Sequence, residues 1–271
     1  MGSENQNTQL GTALVTGASA GIGAAFADRL ATRGYDLILV ARDQARLNGL
    51  AQQLTKKTGV QVDVLKADLT SRADLGEVDD RLRSDESITL LVNNAGIGGR
   101  NRGLDEDINY LESMVEVNVV AFHRLAIVAA QVFAKRGGGG IINIGSVVAL
   151  LPERFANASY NASKAFVLSL TQSLEPLLSG TGVKVQAVLP GLTRTEIFER
   201  CGRSLDDFAP EMIMETSDLV NAALAGFDQG ELITIPSLPD PADWDAVTRA
   251  RQALAPNISH NKPAARYGLD K

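Results

Sequence analysis

The sequence is poor in the residues that build disulfide frameworks and metal centres. It contains one cysteine, Cys201, and two histidines, His123 and His260, among 271 residues. A single cysteine excludes an internal disulfide, which favours a reducing cytoplasm as the setting. Neither histidine has ligand partners close by in the sequence, so we predict no metal site.

Positive charge and targeting signals are also scarce. The 26 Lys and Arg against 32 Asp and Glu give a net charge of −6, spread along the chain. A nucleic-acid surface would need a basic stripe, so we expect no nucleic-acid partner. Residues 1–10 lack the basic start and apolar run of a secretory signal, and no apolar stretch is expected to be long enough to cross a bilayer. Without such a signal, the N-x-S triplets at Asn157, Asn161 and Asn257 are read as chance rather than glycosylation sites.

What the chain has instead is a regular alternation of short apolar runs and amphipathic stretches. The apolar runs predict strands at Ala13–Thr16, Leu37–Val40, Val60–Leu65, Ile88–Val92, Ile141–Ile144, Val183–Leu189 and Leu232–Ile235. The amphipathic stretches predict helices at Gly23–Arg33, Gln44–Lys57, Ser71–Ser84, Leu111–Lys135, Ala158–Leu178 and Ser217–Phe227. Strand and helix in turn predict an α/β fold, with a parallel sheet, right-handed crossovers and helices on both faces. Val60–Leu65 alternates with polar residues, which suits a strand nearer the edge of the sheet.

The alternation covers one continuous stretch, and no segment has the composition of an interdomain linker. We therefore predict a flexible N-terminus at residues 1–10 and a single domain at 11–236. Five prolines break the tail at 237–271 and just before it into short pieces. This C-terminal extension is expected to pack on the same domain, wrapping its surface or covering a pocket.

A glycine-rich turn follows the first predicted strand. It contains Gly17, Ser19, Ala20, Gly21, Ile22 and Gly23, directly before a helix. Glycines let the backbone approach a pyrophosphate, and a helix N-terminus offers free N–H groups. The spacing is G-x-x-x-G-x-G rather than the commoner G-x-G-x-x-G, so a turn needed only for packing remains the alternative.

The end of the second strand bears on the choice of coenzyme. A site for NAD commonly places a carboxylate there to bind the ribose 2′-hydroxyl, whereas this chain has Ala41 followed by Arg42. An arginine can hold a 2′-phosphate by charge-assisted hydrogen bonds. We predict NADP(H) as the preferred coenzyme, with NAD(H) possible; the neighbouring Asp43 weakens the preference slightly.

Two further strand ends carry polar residues with two interpretations each. Asp68 follows the third strand and can lie at the adenine or serve a turn or helix cap. Asn94, Ala95 and Gly96 follow the fourth strand, where asparagine and glycine also suit a tight turn.

The candidate chemistry centres on Tyr160 and Lys164, four residues apart on one face of a predicted helix. A phenol is a poor base at neutral pH, and a fixed lysine cation close by is expected to lower its pKa. Such a pair can exchange a proton with a carbonyl oxygen as hydride reaches the carbon. Ser146, past the end of the fifth strand, can donate to the same oxygen or act only as a cap. Asn118 lies mid-helix, where a functional amide and a buried, satisfied amide are the two interpretations.

Taken together, these residues resemble the short-chain dehydrogenase/reductase family over roughly residues 12–235. The set is Thr16–Gly23, Asp68, Asn93–Gly96, Asn118, Ser146, Tyr160, Lys164 and Pro190-Gly191. The resemblance implies a single Rossmann-like doubly wound domain with a seven-stranded sheet in the order 3-2-1-4-5-6-7. It also implies a catalytic tetrad of Asn118, Ser146, Tyr160 and Lys164, in which Tyr160 is the acid and base, Ser146 orients the carbonyl, Lys164 binds the nicotinamide ribose and Asn118 holds a water.

The same resemblance implies the remaining cofactor contacts. Asp68 and the adjacent Leu69 would lie at the adenine, Asn94 at the ribose region, and Pro190, Gly191, Thr193 and Thr195 at the nicotinamide. Many relatives carry a basic residue in the glycine loop where this chain has Ala20, so Arg42 would hold the phosphate largely unaided. A homodimer or homotetramer through the two long helices is a further implication.

The resemblance places a substrate lid at about 194–215. Apolar residues occur there and after the serine, at Ile197, Phe198, Phe208, Met212, Ile213, Met214, Val148, Leu150 and Leu151. They suggest an apolar pocket for a small-molecule ketone, aldehyde or alcohol, although they can also serve only to pack the lid. Two other functions stay open: an NAD-dependent secondary alcohol dehydrogenase, and a non-catalytic dinucleotide-binding regulator.

Overall fold

A computed structural model describes residues 10–100, 103–154, 157–202 and 204–269, and residues 1–9 of the predicted flexible N-terminus lie outside these ranges. Its centre is a sheet of seven parallel strands in the predicted order 3-2-1-4-5-6-7. The strands are β1 Thr12–Thr16, β2 Asp36–Ala41, β3 Val62–Lys66, β4 Ile88–Asn93, β5 Gly139–Ile144, β6 Val183–Val188 and β7 Ile233–Thr234. Because every strand runs the same way, all their carboxyl ends lie along one edge.

The burial of each strand agrees with its place in the sheet. All five residues of β1 are buried in the centre of the sheet, whereas β3 has exposed residues and forms the edge that its alternating sequence predicts. The last strand is shorter than the predicted Leu232–Ile235. It has only β6 as a neighbour, and Pro236 after it has no N–H to extend the pairing.

Helices connect the strands and cover both faces. The first three are α1 Gly21–Arg33, α2 Gln44–Thr58 and α3 Arg72–Ser84. The later ones are α4 Ile108–Val115, α5 Phe122–Arg136, α6 Ala158–Leu178, α7 Ile197–Arg200, α8 Thr216–Gln229 and α9 Pro241–Gln252. Asp43 and Ser71 cap α2 and α3 by accepting hydrogen bonds from backbone N–H groups. Helix α1 begins two residues before the predicted Gly23, because Gly21 and Ile22 already belong to its first turn.

Helices α4 and α5 are joined by a π-helical turn, Glu116–Ala121, so that Ile108–Arg136 is one continuous helix. By length and composition it is apolar enough to cross a membrane, so the expectation that no stretch reaches that length is wrong. More than half of its most apolar window is nevertheless buried inside the fold, as in the core helix of a globular domain. The π turn contains Asn118 and matters for the site below.

The two faces of the sheet carry separate cores, as expected of a doubly wound fold. Leu14 and Ile38 point to the face covered by α3, α5 and α6. Val15 and Leu39 point to the opposite face, which α1, α2 and α8 cover. Alternate residues of each central strand are therefore buried on both sides.

The chain divides into two compact units, one ending at Pro236 and the other spanning Ser237–Lys271. This division coincides with the boundary predicted between the domain and its extension. In the second unit, α9 has Pro241 in its first turn and is capped by Asp240, and none of its residues is buried. Packing of the extension on the domain stays a prediction.

Replacing Leu54, which is fully buried in α2, with alanine should remove about 2–5 kcal/mol from the free energy of unfolding because the core would contain a cavity. Gln53→Ala is the matched control, because Gln53 is its exposed neighbour in the same helix, and should change stability by no more than about 0.5 kcal/mol. Urea unfolding followed by circular dichroism measures both. Equal losses would contradict the assigned core face of α2.

Candidate active site

The glycine-rich turn between β1 and α1 packs too closely to admit side chains. Gly17 and Gly21 have positive φ angles of 66° and 55°, which favour glycine. A Cβ on Gly23 would lie 2.3 Å from the carbonyl oxygen of Gly17. These glycines therefore serve close packing, which does not decide between a turn needed only for packing and one that also binds a pyrophosphate.

The same turn also fits a bound anion. Helix α1 has Ala20 at its N-cap, makes no side-chain cap hydrogen bond, and has no acidic residue in its first turn. The first N–H groups of the helix and its positive dipole end thus face the carboxyl edge of the sheet without a competing carboxylate. A 13-residue helix that begins this way suits the pyrophosphate of a dinucleotide.

The end of β4 is tied directly to this turn. The Asn94 side-chain amide donates to the carbonyl oxygens of Thr16 at 2.9 Å and Gly17 at 3.4 Å. In return, the Thr16 hydroxyl accepts hydrogen bonds from the backbone N–H groups of Asn94 and Ala95, at 2.9 and 3.0 Å. Asn94 therefore holds the two loops together in this structure.

The residues predicted near the adenosine lie at the ends of β2 and β3. Arg42 directly follows β2 and is exposed, while Asp43 accepts from the N–H of Arg46 as the cap of α2. Asp68 accepts from both the backbone N–H and the hydroxyl of Thr70, which makes it a turn residue. The helix-capping alternative for Asp68 is wrong, because Ser71 caps α3. Leu69, the other predicted adenine contact, is buried in the core.

The end of β6 lies against the loop that follows β5. The carbonyl oxygen of Pro190 accepts from the Val147 N–H at 3.0 Å and from the Ser146 hydroxyl at 3.4 Å. Gly191 is exposed with open space beside it, and the buried Thr193 donates its hydroxyl to the Gly191 carbonyl at 3.1 Å. Thr195 lies within 3.2 Å of the position a Gly21 Cβ would occupy. The predicted nicotinamide and pyrophosphate contacts are thus neighbours.

Asn118 is a buried amide with its hydrogen bonds made. Its Oδ1 accepts from the Ile97 N–H at 2.7 Å, and its Nδ2 donates to the Ile97 carbonyl at 2.9 Å and to the Ser163 hydroxyl at 3.2 Å. The π turn aims this side chain inward from the middle of a helix, and such turns occur frequently at functional sites. Its contacts support the satisfied-amide interpretation and show that Asn118 holds the loop after β4.

The other three predicted catalytic residues come together where α6 passes the end of β5. The Ser146 side chain lies close enough to the phenol of Tyr160 to lower its pKa. One turn further along α6, the buried Lys164 donates from Nζ to the Ile144 carbonyl at 3.0 Å, and its Nζ lies 5.8 Å from the centroid of the Tyr160 ring. A half-buried phenol, a buried hydroxyl and a buried amine thus meet in one corner.

Burial governs the titration of this corner. It raises the pKa of Tyr160 to about 12, against the lowering effect of the nearby Ser146 side chain, and it lowers the pKa of Lys164 to about 8. The net shift of the tyrosine pKa is therefore upward, opposite to the direction predicted from the lysine beside it. The physical reason is that desolvation of the phenolate outweighs the favourable contacts.

The predicted lid has a defined base and an apolar interior. Backbone hydrogen bonds between Met214 and residues 192 and 194 close its two ends together. Within it, the rings of Phe198 and Phe208 pack edge to face with centroids 6.1 Å apart. Phe198 also lines a cavity of about 850 Å³ between α1 and the lid. Met212 at the lid and Leu151 after the serine are exposed, whereas Val148 is buried.

Asn157, Tyr110 and Cys201 also contact the site, although they are not among the predicted site residues. Asn157 caps α6 by accepting from the Tyr160 N–H at 2.9 Å, although it was considered only as a glycosylation triplet. Asparagine three residues before a helical tyrosine is a cap signal that could have found it. The Tyr110 hydroxyl donates to the Gly98 carbonyl at 2.7 Å, and Cys201 lies against Gly98 from the lid. No local motif indicates these last two contacts.

Comparison with known proteins agrees with this geometry. Residues 11–205 match the family of short chain dehydrogenases. The chain belongs to this family. An uncharacterized oxidoreductase of Staphylococcus epidermidis is 32% identical over 227 residues, which cover 82% of this chain and 93% of that protein.

Two solved structures resemble it along almost their whole length. A short-chain dehydrogenase from Sphingobium yanoikuyae in complex with NADPH is 48% identical, with a TM-score of 0.91 over 95% of this chain and 100% of that one. The bulky-bulky ketone specific alcohol dehydrogenase from Comamonas testosteroni is 45% identical, with a TM-score of 0.87 over 96% and 99%. This short-chain dehydrogenase is an NAD(P)-dependent oxidoreductase acting on CH–OH and C=O groups of small molecules.

We expect Gly23→Ala to weaken NADPH binding by at least about tenfold, which corresponds to roughly 1.4 kcal/mol, because the new methyl group must push α1 away from Gly17. Gly49→Ala is the control, since Gly49 lies in α2 with nothing within 4 Å of its Cβ position. It should leave binding unchanged and add about 0.5–1 kcal/mol of stability. Titration calorimetry measures both. Wild-type affinity for NADPH in Gly23→Ala would contradict the assignment of the glycine-rich turn as a pyrophosphate site.

The raised pKa of Tyr160 should be visible in its absorbance. A group with a pKa raised to about 12 stays protonated below that pH. The difference in tyrosinate absorbance between wild type and Tyr160→Phe, without added coenzyme, should therefore show no ionisation below about pH 10. A difference step centred between about pH 7 and 9 would mean that burial does not control this phenol.

Proposed function

We propose that the protein interconverts a ketone or aldehyde and the corresponding alcohol, with NADP(H) as the preferred coenzyme and Tyr160 as acid and base. The observation that carries the proposal is the corner formed by Tyr160, Ser146 and Lys164. It lies at the carboxyl edge of the sheet, next to a glycine turn that fits a pyrophosphate. This is the edge at which doubly wound sheets bind ligands.

Each residue of the corner has a role that its surroundings support. When bound, the reduced nicotinamide supplies hydride to the carbonyl carbon. Tyr160 gives its phenolic proton to the carbonyl oxygen, so that the product is the neutral alcohol. Ser146 hydrogen-bonds that oxygen as its negative charge develops. Lys164, held by the Ile144 carbonyl, provides a positive charge at pH values below about 8.

The raised pKa of Tyr160 favours carbonyl reduction over alcohol oxidation at neutral pH. At neutral pH a phenol with a pKa of about 12 is protonated and can donate at once. Oxidation of an alcohol needs the phenolate, whose population rises with pH. We therefore propose carbonyl reduction at neutral pH and alcohol oxidation at alkaline pH.

The preference for NADP(H) rests on the end of β2. Arg42 is exposed there. The nearby Asp43 uses a carboxylate oxygen to cap α2 and lies 3.5 Å from Arg46, so its charge is partly offset. A 2′-phosphate would meet a guanidinium without a strong competing carboxylate. The NADPH complex of the Sphingobium relative supports the same choice.

The substrate that we propose is a bulky, largely apolar ketone. The aromatic contact between Phe198 and Phe208 inside the lid supports this class. The Comamonas relative is a bulky-bulky ketone specific alcohol dehydrogenase. We also propose a homodimer or homotetramer through the Ile108–Arg136 helix and α6, where Val115, Val120 and Leu177 are exposed.

The decisive assay follows loss of reduced-nicotinamide absorbance with NADPH and NADH separately, against ketones of increasing bulk. We expect faster turnover with NADPH, and a loss of at least about a hundredfold in Tyr160→Phe. Faster turnover with NAD and secondary alcohols would favour the NAD-dependent alternative. Tight NADPH binding without any turnover would favour a dinucleotide-binding regulator.

Arg42→Ala should raise the KM for NADPH far more than that for NADH, by about tenfold or more, because one charge-assisted contact is worth about 1.5–3 kcal/mol. Arg72→Ala is a suitable control, because Arg72 is an exposed arginine in the first turn of another helix. An unchanged ratio of the two KM values in Arg42→Ala would contradict the proposed phosphate site.

A further inference from the structure

The side chain of Asn157 makes two hydrogen bonds that link different parts of the site. Its Oδ1 accepts from the Tyr160 backbone N–H at 2.9 Å, and its Nδ2 donates to the carbonyl oxygen of Arg100 at 2.8 Å. The first bond caps the helix that carries the tyrosine. The second reaches the loop after β4, 57 residues earlier in the chain.

The loop that Asn157 reaches has little freedom elsewhere. Gly99 packs against Asn157 so closely that a Cβ there would lie 2.5 Å from its side chain. The carbonyl of Gly98 accepts from the Tyr110 hydroxyl, and the guanidinium of Arg100 lies 3.8 Å from the centroid of the Tyr110 ring. Residues 98–100 thus form a packed segment that contacts both α4 and Asn157.

The lid rests on the same segment. A Cβ on Gly98 would lie 2.6 Å from the Cys201 sulfur and 2.8 Å from Cγ1 of Ile197, so the lid contacts the bare backbone. Cys201 is also close enough to Tyr110 and Tyr160 to raise the pKa of both phenols. Segment 98–100 therefore lies between the catalytic helix and the lid.

Helix capping alone does not explain asparagine at this position. Serine, threonine and aspartate cap helix N-termini about as well, because each supplies an acceptor oxygen. A serine or threonine hydroxyl combines its donor and acceptor in one oxygen atom, whereas the asparagine amide carries an acceptor and a donor on two separate atoms. The Arg100 contact uses the donor, and the cap uses the acceptor.

We propose that Asn157 is a positioning residue, which sets the distance between the Tyr160 phenol and segment 98–100 and so fixes the wall and lid against which the substrate carbonyl is held. The proposal rests on the proposed role of Tyr160 as proton donor. Loss of the Nδ2 contact should leave α6 folded but let segment 98–100 and the lid above it loosen.

Two variants separate positioning from capping. Asn157→Ser keeps an oxygen that can cap the helix, but its side chain is too short to reach the Arg100 carbonyl and has no amide to donate to it. Asn157→Ala loses both hydrogen bonds. We expect Asn157→Ser to melt within about 2 °C of wild type, less than about 1 kcal/mol for a chain of this size, and Asn157→Ala to melt lower. Both should lose at least about tenfold in kcat/KM for a bulky ketone, through misplacement of reacting groups, with the Kd for NADPH unchanged.

The single cysteine gives a readout that a cap alone would not change. Cys201 is a buried residue of the lid that faces Gly98, so its rate of reaction with Ellman's reagent reports how tightly the lid rests on segment 98–100. Faster labelling in Asn157→Ser than in wild type is the expected result.

Recovery of wild-type kcat/KM and labelling rate in Asn157→Ser would overturn the proposal and leave Asn157 as a cap only. Slow labelling together with low kcat/KM would also overturn it, since the segment would then be unmoved. If the wild type reduces no ketone, the proposed function fails, but the labelling comparison still tests the link between Asn157 and the lid.

Discussion

The loop that follows β4, residues 94–100, is the constraint on which the rest of the site depends. Asn94 holds its start to Thr16 and Gly17 of the glycine turn. Asn118, from the π turn, holds its middle through both backbone groups of Ile97. Its far end lies under the lid and is bonded to Asn157 at the start of α6. One short loop thus connects the cofactor turn, the catalytic helix and the lid.

Burial of the catalytic corner has a cost and a benefit. Removing Tyr160 and Lys164 from water disfavours both charged forms, which raises one pKa and lowers the other. The phenol is therefore kept as a proton donor at neutral pH, and the amine is fixed by a single carbonyl. The same low-dielectric surroundings strengthen the contacts that Ser146 offers to a developing negative charge.

Much of the fold could be predicted because its signals are local. Apolar runs that are buried on both faces identify β1 and β2. The order of the strands in the sheet follows from the family resemblance. The places of Tyr160, Ser146 and Lys164 also followed from sequence, because strand ends and helical spacing determine them. Their roles in catalysis stay predictions.

Other features depend on tertiary contacts and burial that local sequence patterns do not reveal. The direction of the Tyr160 pKa shift depends on burial, which a lysine four residues away does not reveal. The π turn at Asn118 is one extra residue in an unbroken helical pattern, so periodicity misses it. Tyr110 and Cys201 lie about 90 residues apart in the sequence, and both contact Gly98. No local sequence pattern indicates these contacts.

The most direct test of the account is a crystal structure of the enzyme with NADPH and a bulky ketone. The account predicts the carbonyl oxygen within hydrogen-bond distance, about 2.6–3.2 Å, of both the Tyr160 and the Ser146 hydroxyl groups. It also predicts the nicotinamide beside Pro190 and Gly191, with segment 98–100 still bonded to Asn157. A carbonyl oxygen bound away from Tyr160, or a pyrophosphate away from the start of α1, would contradict it.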